Sequence, residues 1–354
     1  MRAPIAFLIV GTPRSGTTLL QRLACELPGV QVPPETHFFA EYVEDLLRRR
    51  TFPLDDAAVA EEVRTFLGRP NARGLELDEE EVVRALGGGC ARALDLFSAI
   101  VRCLAGQAHL YGEKTPGHLR WWSPLTDALP DLKLLWIVRD PRAVVASALK
   151  VPWAENDVAA LAEEWRLDHD ELREAGRRLP PSRLLTLRYE EVVADPTSAR
   201  RRIARFLGTA PLHRDLRVEE LFLAWETWKS RVTQPITLDR VHAWKSDLSC
   251  SEAATVAAIC ARGMEELGYV GRGESVLARV RRVGLGVRHR RSRGKVRRNR
   301  RRERHRISRV AAAHTDAGQD AAVAYARKIV AVGAAEGRGN EGHRASQARA
   351  RHGR

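Results

Sequence analysis

A glycine-containing loop near the N-terminus has the residue types that bind phosphate groups. The loop GTPRSGTT (Gly11–Thr18) follows a short apolar run, Ile5–Val10, and precedes a helical pattern. The backbone N–H groups of such a loop, together with the N-terminus of the following helix, point at a bound anion. We therefore expect this loop to hold a phosphate group.

The residues after the second glycine restrict which phosphate compound fits. Gly11 and Gly16 have the spacing of a Walker A loop, but Thr17 and Thr18 stand where that motif has Lys followed by Ser or Thr. The motif's lysine normally spans the β- and γ-phosphates of a nucleoside triphosphate. Its absence argues against ATP or GTP hydrolysis, and Arg14 places the positive charge at a different point of the loop.

Further acidic and basic side chains could act beside this loop. Glu35 and His37 lie in the segment VPPETHFF, and Lys114 and His118 lie in YGEKTPGHL. A carboxylate or an imidazole can take a proton from a reacting hydroxyl, which is worth roughly 10²–10⁴-fold in rate. Arg139 directly follows an apolar run, and a guanidinium suits a dianionic phosphate.

Alternating strands and helices are predicted to position these residues. The apolar runs Ile5–Val10, Leu132–Val138 and Arg183–Tyr189 indicate strands buried on both faces, and helical patterns follow them. Asp195 should cap a helix with proline in its first turn, and Ser251 should cap the last helix of the domain. The fold class is therefore α/β, a three-layer P-loop-like fold with a central parallel sheet.

The formal net charge of +14 is concentrated at the C-terminal end. Residues 276–354 contain 23 Lys+Arg and 5 Asp+Glu, a net charge of +18, which leaves −4 for residues 1–275. We expect 1–275 to be the folded domain and 276–354 to be a basic, self-repelling, disordered tail. The alternative for the tail is an arm that contacts nucleic acid or another anionic surface, although no aromatic residues interleave its arginines.

Cysteine use and hydropathy bear on compartment and metal binding. The five cysteines are scattered and show neither CxxC nor Cys/His ligand spacing, which argues against a disulfide framework or a zinc site. The start MRAPIAFLIVG has an apolar run too short for a signal peptide. No stretch approaches the roughly 20 apolar residues of a membrane span. We expect a cytoplasmic protein with no bound metal and no membrane span.

The sequence PRSGTT after an apolar strand resembles the 5′-phosphosulfate-binding loop of sulfotransferases. These enzymes use 3′-phosphoadenosine 5′-phosphosulfate (PAPS) as their sulfuryl donor. The resemblance implies that the 5′-phosphosulfate is held by Arg14, Ser15, Gly16, Thr17 and Thr18. Other segments of the family occur in the same order along the chain.

The segment LLWIVRDPRAVVASAL resembles the strand, turn and helix that bind the 3′-phosphate in this family. The resemblance implies that Arg139 and Ser147 hold that phosphate, and Arg142 is a weaker candidate. The segment LLTLRYEEVVADPTSARRRIARFLG resembles the part of the family with a nucleotide-contacting tyrosine, which is Tyr189 here.

The late segment PITLDRVHAWKSDLS resembles the loop that closes over the nucleotide. By this resemblance Lys245 is the main candidate for a phosphate contact, and Ser230 and Arg240 are weaker ones. A plain surface Trp-Lys pair is the alternative.

The resemblance also assigns the reacting groups. The protein-tyrosine branch of the family carries Glu-Thr at the same distance from its loop arginine, which implies that Glu35 is the general base. Lys114 resembles the lysine that contacts the bridging oxygen of the donor, where charge builds up during transfer. The cytosolic small-molecule branch uses Lys-Thr-His with a histidine base, but Pro116 occupies that position here. His118 and His37 remain alternatives as the base or as its assistant.

Taken over residues 1–270, the resemblance implies a PAPS-dependent sulfotransferase. It would move a sulfuryl group to an acceptor hydroxyl by in-line transfer, without a metal. The acceptor is left open among small molecules, glycans and tyrosyl groups. Two other functions also remain open: a P-loop nucleotide kinase or NTPase-like protein, and a nucleic-acid-binding protein that acts through the basic tail.

Overall fold

The computed structural model describes residues 5–270 and 287–312. Its strands are Phe7–Val10 (β1), Val30–Gln31 (β2), Leu110–Glu113 (β3), Lys133–Val138 (β4) and Leu184–Arg188 (β5). Its α-helices are Thr17–Cys25 (α1), Val43–Arg49 (α2), Asp56–Leu67 (α3), Glu79–Leu86 (α4), Ala93–Ala105 (α5), Trp122–Ala128 (α6), Pro141–Ala148 (α7), Val158–Arg178 (α8), Tyr189–Ala194 (α9), Pro196–Leu207 (α10), Trp244–Asp247 (α11), Cys250–Glu266 (α12) and Val287–Ala312 (the basic helix). Shorter helical turns are Phe38–Tyr42, Pro70–Ala72, Pro116–Trp121, Val218–Leu221 and Thr227–Thr233.

The strands form one parallel sheet in the order β2-β3-β1-β4-β5. Phe7 and Ile9 of β1 pack into an apolar cluster with α1 and α10, whereas Leu8 and Val10 point to the opposite face. All four side chains are fully buried, so both faces of the sheet are covered. The structure confirms the α/β class with a central parallel sheet. It adds β2 and β3, which the sequence analysis did not identify.

Helices α7, α8 and α12 pack against one another through a second apolar cluster. A side chain at Gly263 of α12 would lie 2.7 Å from the ring of Trp165, so glycine permits this close approach. Ser249, not the expected Ser251, caps α12, and its hydroxyl and the Glu252 carboxylate form a reciprocal capping box. Asp195 caps α10 as predicted.

Residues 287–312 form a helix, whereas the sequence analysis predicts a disordered tail from residue 276 onward. The acidic face of α8 accounts for the difference, because Glu163 accepts hydrogen bonds from Arg293 (2.8 Å) and Arg297 (2.6 Å). Arg300 pairs in the same way with Asp168 at 2.7 Å. The described residues up to Arg300 belong to one compact unit. Residues 276–286 and 313–354 of the predicted tail lie outside the described residues.

The functional segments of the sequence all follow strands at the same edge of the sheet. The phosphate loop follows β1, Lys114 follows β3, Arg139 follows β4 and Tyr189 follows β5. Ligands of open α/β sheets bind in the crevice beyond the carboxyl ends of the strands. Within residues 5–270 and 287–312, no helix is long and apolar enough to cross a membrane.

Candidate active site

The loop between β1 and α1 is shaped by two residues with left-handed backbone conformation. Arg14 has φ 73° and Gly16 has φ 103°. A side chain at Gly16 would also lie 2.6 Å from the ring of Tyr189, so this position requires glycine. Thr17 begins α1 and is buried, and Thr18 beside it is half-buried. The loop therefore presents backbone N–H groups and a helix N-terminus, as the sequence predicts.

Arg139 links the loop to the two neighbouring segments. Its guanidinium donates to the carbonyl oxygens of Arg14 (3.1 Å) and Arg240 (2.8 Å) and lies 4.1 Å above the centre of the Tyr189 ring. Its Nε and the buried Ser15 hydroxyl have no hydrogen-bond partner among the described residues. Both are donors beside the loop that a bound anion could satisfy.

Positive charge is packed closely at this end of the site. Burial and the neighbouring Arg139 lower the pKa of Arg14, and burial lowers the pKa of Arg139. Arg14 Nε donates to the Ser147 hydroxyl at 3.2 Å, so the two predicted phosphate-binding segments meet. Two adjacent guanidinium groups with a serine hydroxyl are suited to a polyanionic ligand.

The weaker phosphate-binding candidates differ in their placement. Arg142 forms an ion pair with Asp140, the residue that caps α7, and stacks on Trp244. Lys245 on α11 is exposed, and so is Ser230. Arg240 lies nearer, because its carbonyl accepts from Arg139. The phosphate contact of Lys245 stays a prediction.

Glu35 and Lys114, which follow the adjacent strands β2 and β3, meet in a buried ion pair. A second lysine, Lys229 of the turn Thr227–Thr233, donates to the same carboxylate oxygen, Oε1, at 2.5 Å. Lys229 also pairs with Glu226, and both of these side chains are buried. The sequence analysis missed Lys229. Its only local signal is the three-residue spacing from Glu226, which also occurs on many exposed helical turns.

The charges of this cluster control its protonation. Burial alone would raise the pKa of Glu35, but Lys114, Lys229 and His37 together hold it well below its usual value. Burial lowers the pKa of Lys114 to about 8 although Glu35 opposes the change. Burial likewise opposes the charged form of Lys229, but Glu35 and Glu226 raise its pKa overall. Glu35 is therefore ionised in the ligand-free protein.

The two histidines have different surroundings. His37 bridges Glu35 and Glu41 at 3.3 Å each, and these carboxylates raise its pKa to about 9 against the effect of burial. His118 is fully buried: its Nε2 accepts from the Phe39 N–H at 3.1 Å and its Nδ1 lies 2.7 Å from Glu113. Since both ring nitrogens are engaged, His118 supports the local structure, whereas His37 contacts Glu35 directly.

Three tryptophans lie at the rim of this cluster. Trp228 precedes Lys229 in the chain, and its carbonyl lies 3.5 Å from the Arg14 guanidinium. The centre of its ring lies 5.6 Å from that of Trp225, which is 40% exposed, and 6.4 Å from that of Trp153, which is 49% exposed. Exposed aromatic surface of this kind is commonly part of a binding site.

Comparisons with known proteins identify the family and the fold. A sequence model described as "Sulfotransferase family" matches residues 4–213. The protein-tyrosine sulfotransferase of Drosophila melanogaster is 24% identical over 286 residues, 75% of this chain and 52% of the relative. Carbohydrate sulfotransferase 3 of Tetronarce californica is 28% identical over 199 residues, 50% of this chain and 45% of the relative. The chain thus spans about half the length of the curated relatives it matches.

A solved structure has the same fold. The sulfotransferase domain from the Synechococcus PCC 7002 olefin synthase superposes with a TM-score of 0.53 at 22% identity, covering 76% of this chain and 96% of that chain. The family match extends over more than half of the 354 residues, and it confirms the resemblance carried by the loop PRSGTT. This chain therefore belongs to the sulfotransferase family.

Proposed function

We propose that this protein moves a sulfuryl group from PAPS to an acceptor hydroxyl, with Glu35 as the general base. The observation that carries the proposal is that anion-binding and proton-accepting groups adjoin in one buried site. Arg14 and Arg139 lie together, and the charge of Glu35 partly offsets the lowering of the Arg14 pKa. The Glu35–Lys114 pair therefore lies within electrostatic range of the loop that would hold the phosphosulfate.

The donor end of the site fits a polyanionic nucleotide. The partnerless Ser15 hydroxyl and Arg139 Nε are donors that an anion would satisfy, and an unsatisfied buried donor costs about 1–3 kcal/mol. The loop residues Arg14–Thr18 would hold the 5′-phosphosulfate, and Arg139 with Ser147 would hold the 3′-phosphate. Tyr189 and Lys245 would complete the contacts to the nucleotide.

The transfer step assigns one role to each reacting group. The acceptor oxygen attacks sulfur, the bond between sulfur and the 5′-phosphate oxygen breaks, and adenosine 3′,5′-bisphosphate leaves. Glu35 takes the proton of the acceptor hydroxyl, and Lys114 offsets the charge that builds on the departing phosphate oxygen. No step requires a metal.

The acceptor side adjoins the aromatic rim. Trp153, Trp225 and Trp228 offer flat apolar surface beside Lys229. These features favour an uncharged acceptor whose hydroxyl is attached to a ring, such as a phenol, a tyrosyl side chain or a sugar. The names of the relatives, protein-tyrosine and carbohydrate sulfotransferase, are compatible with this class.

Isothermal calorimetry tests the donor site. We expect tight binding of adenosine 3′,5′-bisphosphate, much weaker binding of ATP with magnesium, and loss of binding in Arg139→Ala. Arg178→Ala is the matched control, because Arg178 also stacks on an aromatic ring, that of Trp122, and pairs with Asp127 instead of lining the site. A preference for ATP with magnesium would overturn the proposal and favour a nucleotide kinase or NTPase.

Labelled PAPS tests the general base. Across a panel of phenols, tyrosyl peptides and glycans, Glu35→Gln should keep its affinity for adenosine 3′,5′-bisphosphate but lose roughly 10²–10⁴-fold in turnover. Retained turnover in this variant would move the role of base to His37.

A further inference from the structure

Glu35 is bound by three cationic or potentially cationic groups in the ligand-free protein. Oε1 accepts from Lys114 and from Lys229, and Oε2 lies 3.3 Å from His37. The carboxylate is also buried. A general base must accept a proton from the acceptor hydroxyl, and a carboxylate held by two ammonium groups is a weak acceptor.

The charges of the inner cluster cancel before any donor binds. Lys114, Lys229 and His37, whose pKa is raised to about 9, carry three positive charges, and Glu35, Glu226 and Glu41 carry three negative ones. A sulfuryl group brings anionic oxygens of its own. Such oxygens compete with Glu35 for the same ammonium protons, because charge-assisted hydrogen bonds form with whichever anion has the better geometry.

The segment that carries Lys229 already contacts the donor loop. The Trp228 carbonyl, one residue before Lys229, accepts from Arg14 at 3.5 Å. Lys229 has a second carboxylate partner, Glu226, on its own turn, and its flexible stem can reach either side. An anion that binds at Arg14 can therefore shift the backbone at Trp228 and, through it, the side chain of Lys229, which is the next residue.

Resting on the proposed function, we propose that Lys229 is a further sulfuryl-binding residue and that Glu35 is its counter-ion only until the donor binds. The sulfuryl oxygens take over Lys114 and Lys229, which leaves His37 as the remaining cationic partner of Glu35 and makes the carboxylate a better proton acceptor. The base is then available only in the donor complex. This order protects the site from acting before the sulfuryl group is in place.

The test compares PAPS with adenosine 3′,5′-bisphosphate, which differ only in the sulfuryl group. Calorimetry without acceptor gives both affinities for the wild type and for Lys229→Met. The variant should keep its affinity for the bisphosphate and lose roughly 10- to 100-fold for PAPS, as expected for one charge-assisted hydrogen bond. Lys133→Met is the control, because Lys133 lies at the opposite end of β4 and donates to the Phe206 carbonyl.

A double variant separates direct contact from an effect through Glu35. Removing Lys229 leaves the Glu35 carboxylate with fewer counter-charges, because only Lys114 and His37 of its three partners remain, and the excess negative charge would repel the sulfuryl group even without any direct contact. In Lys229→Met combined with Glu35→Gln the repulsion by Glu35 is absent, and Glu226→Gln added to both variants removes the repulsion by Glu226, the other partner of Lys229. A persistent loss of PAPS affinity there supports direct contact, whereas full recovery would overturn it. Lys229→Arg should retain most of the wild-type ratio of PAPS affinity to adenosine 3′,5′-bisphosphate affinity, because arginine keeps the positive charge.

The outcomes also separate this inference from the proposed function. If the wild type binds neither nucleotide, the proposed function fails. If the wild type binds both and Lys229→Met has an unchanged ratio of the two affinities, the role of Lys229 fails while the proposed function stands. If Lys229→Met does not fold, the same ratio is measured in Lys229→Gln.

Discussion

Replacement of Glu113 by glutamine tests how the fold holds its two reacting groups together. Glu113 ends β3 directly before Lys114, and its buried carboxylate accepts from the Thr36 N–H (3.3 Å) and hydroxyl (3.0 Å), next to Glu35. It also accepts from the Thr115 hydroxyl at 2.5 Å and contacts His118 at 2.7 Å. Glu113 thus joins the segment after β2 to the segment after β3.

The size of the stability loss in Glu113→Gln follows from which atoms donate hydrogen bonds to the Glu113 carboxylate. The Phe39 N–H donates to His118 Nε2, so the ring proton lies on Nδ1 and points at Glu113. A glutamine amide must direct its NH₂ group either at that proton or at the Thr36 N–H, so two donors face each other in both orientations. An unsatisfied buried donor and the lost charge-assisted bonds together cost about 3–5 kcal/mol.

Urea unfolding at neutral pH measures this loss, and adenosine 3′,5′-bisphosphate binding measures its effect on the site. Burial raises the pKa of Glu113, but its contacts with His118, Thr115 and Thr36 lower it overall. A carboxylate with a depressed pKa stabilises the protein above its unfolded pKa, near 4.3, and loses this effect as the pH falls through the folded value. The difference between wild type and Glu113→Gln should therefore shrink in acid. A loss below about 0.5 kcal/mol at neutral pH would refute the reasoning.

Two further predictions concern other parts of the domain. At pH values below about 6.5, the pKa of His37 in the unfolded chain, His37→Asn should lower the free energy of unfolding. The effect should fade as the pH rises through about 9, because a raised pKa stabilises the protonated form. Urea unfolding across this pH range measures the difference between variant and wild type, and a difference that does not change with pH would contradict the prediction. A chain that ends at residue 286 should unfold at a lower temperature than one that ends at residue 312. The shorter chain lacks the basic helix and therefore the two arginines of that helix that contact Glu163 on α8. This difference should decrease in about 1 M NaCl, and equal midpoints in thermal unfolding would refute the role of the helix.

The donor side of the site could be predicted because its residues lie at the ends of strong local patterns. Phe7–Val10 and the residues 134–138 of β4 are continuous apolar runs, and each is followed at once by candidate site residues, the loop from Gly11 and Arg139 respectively. The strands β2 and β3 were missed because β2 has only two residues and β3 contains Tyr111, Gly112 and Glu113. Such strands are defined by pairing with a neighbour, which a local pattern does not contain.

The reacting cluster was predicted only in part, because its contacts join distant parts of the chain. Glu35 and Lys114 were identified through a resemblance, but Lys229 is 194 residues from Glu35, and nothing near it in sequence indicates the pairing. The basic helix shows the same limit. Its arginines suggest self-repulsion when considered alone. In the fold, however, two of them contact the carboxylate of Glu163 on α8. Arg166, Arg297 and Arg293 lower the pKa of Glu163 to about 2 against the effect of burial.

The distribution of charge in the site explains why its two halves can do different chemistry. At the proposed donor end, Arg14 and Arg139 lie side by side, and among the described residues the Arg14 guanidinium donates to a hydroxyl and a carbonyl and to no carboxylate, so positive charge is in excess there. At the acceptor end, Lys114 and Lys229 are balanced by Glu35 and Glu226. Under the proposed function, a polyanionic donor would be attracted first to the arginines, and its sulfuryl group would reach the balanced cluster last. Under the proposed function, the arginine end would therefore bind the highly charged nucleotide and leave the aromatic rim to an uncharged acceptor.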